Sequence, residues 1–281
     1  MNIRANMPAP ARFAFRDGVA VITGAAGGIG GALAIALAKR GCHLALVDRQ
    51  PLGPVAKSAA AAGVRVSEHV FDIGDEAAIA DLPDVVLREH ERVTLLINNA
   101  GVALAGSFEQ IILEDFEWLM TVNFWGTVRM TKAFLPALKR QEAAQIVNLS
   151  SIFGIFAPPG QCAYAASKFA VRGFSEALRH ELEAEGSPVR VSLVHPGGVR
   201  TSIARNARLS PGMDRERAAE RIGEFEKRLK LQPEKAAARI VQGIERREPR
   251  ILVGSDAVLL DKLQRLLPVR YWGLIRGRMT P

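Results

Sequence analysis

From residue 19 onward, short runs rich in Val, Leu and Ile alternate with longer Ala-rich stretches. The runs are VAVIT (19–23), HLALV (43–47), VRVSEHV (64–70), TLLIN (94–98), QIVNLS (145–150), VRVSLVH (189–195) and RILVG (250–254). Such short apolar runs read as buried strands. The stretches between them, near 29–40, 51–62, 75–91, 109–140, 162–186 and 234–247, are long enough to carry the chain from one parallel strand to the next. The pattern predicts an α/β fold: one doubly wound domain over 17–255 built on a seven-stranded parallel sheet. Residues 1–16 read as a flexible N-terminus. Residues 200–232 show no strand candidate, are rich in Arg and Glu, and read as a helical insertion or substrate lid within that domain. Beyond it, 256–281 reads as a basic amphipathic extension broken at Pro268.

Composition narrows the class. The chain has 281 residues, 48% of them hydrophobic and 23% charged, which excludes disorder and fits a protein with a sizeable core. A net charge of +8 raises the question of an acidic partner. The charge is uneven, because residues 1–204 carry 19 basic and 19 acidic side chains whereas 205–281 carry 18 and 10. With no nucleic-acid motif and a neutral main body, nucleic acid is not expected as a partner. Two cysteines, Cys42 and Cys162, make no disulfide framework and suggest a reducing compartment. The first residues hold no signal-peptide core, and no stretch reaches the length of a spanning helix, so a soluble cytoplasmic protein is expected.

The chemistry begins directly after the first strand, where TGAAGGIG (23–30) opens an Ala-rich helix. Glycines at 24, 28 and 30 permit a tight turn, close backbone approach to a pyrophosphate and tight helix–strand packing. The helix N-terminus adds free N–H groups and a favourable dipole. Asp48 ends the second strand, where a carboxylate can accept both adenosine ribose hydroxyls and repel a 2′-phosphate, which favours NAD and leaves NADP possible. Arg49 beside it reads either as a partner for a 2′-phosphate or as a solvated or adenine-stacking charge. Asp72, before Ile73, is placed either to reach the adenine amino group or to cap a helix.

Tyr164 and Lys168 stand four residues apart in a helical stretch, hence on one face. A fixed ammonium stabilises phenolate and lowers the phenol's pKa from about 10, making the pair able to trade a proton with an alcohol or ketone. Ser150 and Ser151 close a strand thirteen residues upstream, at the edge where open α/β sheets place their ligands.

In this order and spacing, TGAAGGIG (23–30), NNAG (98–101), Asn123 in VNFWGT, NLSS (148–151), YAASK (164–168) and PGGVRT (196–201) resemble the short-chain dehydrogenase/reductase family, from Gly18 to about Gly254. The resemblance implies a Rossmann-type sheet, a nicotinamide cofactor, and a catalytic tetrad of Asn123, Ser151, Tyr164 and Lys168. Ser151 rather than Ser150 takes the serine's place by its spacing to the tyrosine. Tyr164 would be the proton carrier, Ser151 would bind the reacting oxygen, Lys168 would also hold the nicotinamide ribose, and Asn123 would help hold a relay water or act as a helix-kink side chain. The family's cofactor positions fall on the Gly24, Gly28, Ile29 and Gly30 loop, on Asp48, Arg49, Asp72 and Ile73, and on Asn99, Ala100 and Gly101. Asn99 reads equally as a sheet-stabilising amide. Pro196, Gly197, Val199 and Thr201 fall where the family meets the nicotinamide carboxamide. His195 is favoured as a structural histidine, and no metal is expected.

Residues 152–159, with Phe153 and Phe156, suggest an apolar wall and a hydrophobic substrate, steroid-like or lipid-derived, unless these rings only pack their loop. The family resemblance also implies a homodimer or homotetramer through the helices near 109–140 and 162–186. The C-terminal extension reads first as a solvated helical surface covering the domain or a partner subunit, and second as a membrane-surface segment. The competing functions are an NADPH-preferring ketoreductase and a noncatalytic dinucleotide-sensing regulator.

Overall fold

The computed structural model describes residues 12–279. In chain order the elements are β1 (Val19–Thr23), α1 (Gly28–Ala38), β2 (His43–Asp48), α2 (Gly53–Ala60), β3 (Val66–Val70), α3 (Glu76–His90), β4 (Leu95–Asn98), β5 (Leu104–Ala105) and α4 (Leu113–Met120). There follow α5 (Gly126–Lys139), β6 (Ala144–Leu149), α6 (Cys162–Ala184), β7 (Val189–Pro196), β8 (Arg208–Leu209), α7 (Arg215–Arg228), α8 (Pro233–Glu245), β9 (Arg250–Val253), α9 (Ser255–Leu266) and α10 (Tyr271–Met279).

Seven strands form one parallel sheet in the order β3-β2-β1-β4-β6-β7-β9. The chain leaves β1 toward β2 and β3, then returns to β4 and proceeds the other way. The loops after β1 and β4 therefore diverge and open a crevice at the C-terminal edge, the place where such sheets receive ligands. Side chains alternate along each strand into two cores. Ala20 and Ile22 of β1 and Leu95 and Ile97 of β4 join α1 and α8, whereas Val21 and Leu96 join α3 and α5. Burial on both faces is why the central strands β1, β4 and β6 are buried along their whole length.

Three expectations change. The helical stretch near 109–140 is interrupted by a π-helical turn, Thr121–Trp125, between α4 and α5. Its residue Asn123 bonds sideways to the Val102 backbone and is drawn toward the crevice. The 200–232 segment does contain a strand, the two-residue β8, which pairs with β5 and is too short to leave an apolar run. Residues 12–16 are not loose: Phe13 and Phe15 are buried, and the Phe13 N–H donates to the Glu245 carbonyl at 2.8 Å. The alternation RFAFR turns both rings inward and the arginines outward. The remaining part of that segment, 1–11, lies outside the described residues.

A buried polar chain ties the sheet to α6, which bears the Tyr164–Lys168 pair. Asn98 and Asn148 sit opposite each other on β4 and β6. Asn98 Nδ2 donates to Asn148 Oδ1 at 2.8 Å and to Thr131 Oγ1 at 3.0 Å, and Asn148 Nδ2 donates to Ser175 Oγ of α6 at 2.9 Å. Removing the middle link strands polar atoms in a dry core. Asn148→Ala is expected to cost about 2–3 kcal/mol of stability in urea unfolding, whereas Ser58→Ala on the exposed face of α2 should change stability by less than about 0.5 kcal/mol.

Candidate active site

The loop between β1 and α1 is built by close backbone approach. Gly24 has φ +66°, and a side chain there would come within 2.8 Å of both the Ala100 Cα and Asn99 Nδ2. A side chain on Gly30 would collide with the Gly24 carbonyl. Gly28, with φ +56°, faces the Thr201 side chain, so the PGGVRT segment closes over the same loop. Ile29 is half-buried against the first core. No side chain caps α1, its first turn carries no acid, and the space beside Gly27 is open. An uncapped helix start of this kind suits an anion such as a pyrophosphate.

Two further residues hold this loop in place. Asn99 Nδ2 donates to the carbonyls of Thr23 and Gly24, both at 3.0 Å, clamping the end of β1 to the loop after β4. Thr23 Oγ1, which the sequence reading passed over, accepts from the N–H groups of Asn99 and Ala100. Asp48 Oδ2 accepts from Ala26 N at 2.9 Å and Oδ1 from Gln50 N, so the carboxylate stands beside the loop at the end of β2. Arg49 is exposed. Asp72 accepts from Gly74 N in a tight turn. The cap of α3 is instead Asp75, which receives Ala77 N and Ala78 N, because α3 begins three residues later than a cap at Asp72 would require. Ile73 is buried near Gly126, the first residue of α5.

Ser151, Tyr164, Lys168 and Asn123 converge at the same edge. Ser151 follows β6, and its Oγ accepts from Phe153 N while hydrogen-bonded to the Tyr164 phenol. Ser150 is buried, and its hydroxyl is spent on the Lys168 carbonyl, which separates the roles of the two serines. Lys168 is buried, with Nζ donating to the Leu149 carbonyl at 3.1 Å and lying 5.6 Å from the centre of the Tyr164 ring. Asn123 Oδ1 accepts from Val102 N at 2.8 Å, and Nδ2 donates to Val102 O and to Ser167 Oγ. Gly101 lies between the two: a side chain there would meet Asn123 Oδ1 at 3.3 Å and Lys168 Nζ at 3.4 Å.

The electrostatics differ from the expectation. Burial pushes the Tyr164 phenol up to about 12, against the opposing pull of its Ser151 hydrogen bond, and burial brings the Lys168 ammonium down to about 8. Desolvation, and not the ammonium, sets the direction of the phenol's shift.

In the PGGVRT segment, Gly197 N donates to Val253 O and Val199 is buried in the first core. Pro196 ends β7. Asp256, a second residue missed from sequence, reaches across from α9: its Oδ2 accepts from Gly198 N at 2.7 Å, and its carboxylate leaves no room for a side chain on Gly197. Its only linear signal is a position just beyond the last strand. Phe156 is not part of an open wall. It is buried with Ile152 and Ala257 beneath Tyr271, and only Phe153 stands edge-on to Tyr164, at 6.1 Å between ring centres.

His195 is fully buried, and its Nδ1 lies 2.8 Å from the Ser151 carbonyl. A carbonyl only accepts, so Nδ1 carries the proton and the ring props the backbone of the serine. Burial brings this histidine's pKa down to about 4, the Ser151 bond working the other way. The neutral ring is therefore the folded form, and the stability it confers is complete above the unfolded pKa of about 6.5 and lost as pH falls toward 4. Urea unfolding at pH 7 and pH 5 should show His195 accounting for a loss of about 2 kcal/mol, a slope absent from His195→Gln.

The family model for short chain dehydrogenases matches residues 18–211. The protein named SadH of Mycobacterium tuberculosis strain H37Rv, which carries an oxidoreductase name, is 42% identical over 264 residues, covering 93% of this chain and 95% of its own. The 3-ketodihydrosphingosine reductase of Bacteroides thetaiotaomicron is 33% identical over 260 residues, covering 89% and 93%. Among solved structures, a short chain dehydrogenase/reductase from Burkholderia phymatum in complex with NAD superposes with a TM-score of 0.85 at 31% identity, covering 91% of this chain and 95% of that one. On this match of sequence, sheet order and site, the chain belongs to the short-chain dehydrogenase/reductase family, Rossmann-type oxidoreductases that act with a nicotinamide dinucleotide.

Proposed function

We propose that this protein interconverts an apolar secondary alcohol and its ketone, using NAD in preference to NADP. The observation that carries the reading is the convergence of Ser151, Tyr164, Lys168 and Asn123 beside an uncapped, glycine-lined helix start. When bound, the dinucleotide supplies the hydride acceptor or donor. The loop at Gly24, Gly28, Ile29 and Gly30 would take its pyrophosphate. Asn99, Ala100, Gly101, Asp72 and Ile73 would line the adenosine side, and Pro196, Gly197, Val199 and Thr201 the nicotinamide side. Asp48 favours NAD because a carboxylate accepts ribose hydroxyls and repels a 2′-phosphate. Exposed Arg49 beside it is the one observation that favours the second reading, an NADPH-dependent ketoreductase.

The proton chemistry falls to the chain's own groups. A phenol near 12 is protonated at neutral pH and is the acid that ketone reduction needs. Alcohol oxidation needs it to give up that proton first. Ser151 Oγ would bind the reacting oxygen, and Lys168 with Asn123 would pass the proton onward. Phe153, edge-on to the phenol, supports an apolar substrate, as does the name of the sphingoid-ketone reductase among the relatives. Segment 200–232 would cover the substrate. Exposed Trp125 and Phe169, next to and on the long helices α5 and α6, support pairing of two copies there.

Tyr164→Phe should lower kcat by about 10²–10⁴-fold while dinucleotide binding, read by fluorescence titration, is kept. Full turnover in that variant would sink the assignment and favour the noncatalytic regulator. In the wild type, kcat/KM for alcohol oxidation should climb from pH 7 toward alkaline pH, and ketone reduction should stay flat through neutrality. Asp48→Ala should reduce the preference for NADH over NADPH in paired kcat/KM measurements on a hydrophobic ketone. A preference for NADPH already in the wild type would overturn the NAD assignment.

A further inference from the structure

The helix α9 is amphipathic with an unusual outer face, and α10 continues from it. In α9 the inward positions are Ala257, Leu260, Asp261 and Gln264, spaced three and four residues apart. The outward stripe at the same period is Val258, Leu259, Lys262, Arg265 and Leu266, and it runs on to Val269 after the break at Pro268. A helix covering a soluble domain turns a polar face to water. Here Leu259, Leu266, Val269 and, in α10, Leu274 are 62–84% exposed.

The charges sort in the same direction. The acids of 255–281 are Asp256 and Asp261, and both are used inward: Asp256 on the Gly198 N–H, buried Asp261 on Arg250 of β9. Arg265 also reaches Asp261, yet its side chain remains 60% exposed. From residue 262 to 281 the sequence holds five cations, Lys262, Arg265, Arg270, Arg276 and Arg278, and no acid. The inner side of the unit is firmly seated, with Tyr271 edge-on to Phe156 at 6.3 Å, Ile275 packed beside it, and Trp272 over an open cleft lined by Pro158, Pro159 and Phe169. The tail thus rests on the segment that follows Ser151, with its apolar and basic side facing away from the domain.

We infer that α9 and α10 dock this protein on an anionic lipid bilayer, lying in the interface with Leu259, Leu266, Val269 and Leu274 in the acyl boundary and exposed Lys262, Arg265 and Arg270 among the headgroups. Exposed leucines flanked by Lys and Arg without acids match such a surface in both hydropathy and charge. No described helix is long and apolar enough to cross a membrane, so the contact is peripheral. The inference does not depend on the proposed substrate, since it concerns the face opposite the one that packs on the catalytic segment.

The test needs no substrate, so its failure and that of the proposed reaction are separable. Full-length protein is floated with vesicles of phosphatidylcholine alone and of phosphatidylcholine with one third phosphatidylglycerol, at low and high salt. The wild type should float with the anionic vesicles, about a hundredfold better than with neutral ones for the three cations Lys262, Arg265 and Arg270, and come off in high salt. Leu266→Glu/Val269→Glu should abolish flotation while leaving the melting temperature and dinucleotide binding unchanged. No flotation of the wild type, equal flotation on both vesicle types, or flotation retained in the double variant would each overturn the inference. So would light scattering showing that the variant splits a wild-type dimer, because the face would then belong to a second copy.

Discussion

A charged amine almost wholly withdrawn from water has to be compensated at once, and the proposed catalytic edge of this protein is arranged around that demand. Lys168 meets it with the Leu149 carbonyl at the end of β6, which fixes α6 against the sheet at one depth and one rotation. From that fixed point the phenol one turn earlier can only face Ser151. Gly101 lacks a side chain where one would crowd the ammonium. The π-helical turn brings the Asn123 amide to the opposite side of that glycine. The buried Asn98–Asn148–Ser175 chain holds the same helix from below.

The burial that fixes the geometry also sets the protonation states. A low-dielectric surrounding raises the phenol to about 12 and lowers the amine to about 8, so burial sets the two further apart than in water and favours the uncharged form of each. The Tyr164 phenol is therefore protonated at neutral pH.

Much of this was legible in the linear sequence. Seven runs marked seven strands: burial on both faces leaves the central ones without polar alternation, whereas the edge strand β3 keeps polar Ser67, Glu68 and His69, and the four-residue spacing of Tyr164 and Lys168 put them on one helical face. What was hidden depends on contacts between distant segments. Thr23 and Asp256 act on backbone groups far along the chain, 76 and 58 residues away for Asn99 N and Gly198 N, and carry no local motif. The π-helical turn leaves the helical periodicity of its neighbours almost intact, so only the resemblance at Asn123, not the pattern of apolar positions, pointed to a kink there. Phe156 and Phe153 stand three residues apart in one loop, yet only the fold decides that one supports the C-terminal helices and the other faces the phenol.

The carboxylate of Asp256 has a consequence for anyone handling this protein. It latches the Pro196–Gly198 turn from the first turn of α9, so the C-terminal appendage is mechanically coupled to that turn. Shortening the chain to before that residue unfastens the turn even when every strand and every catalytic side chain remains. A fusion added after the final residue leaves the latch closed.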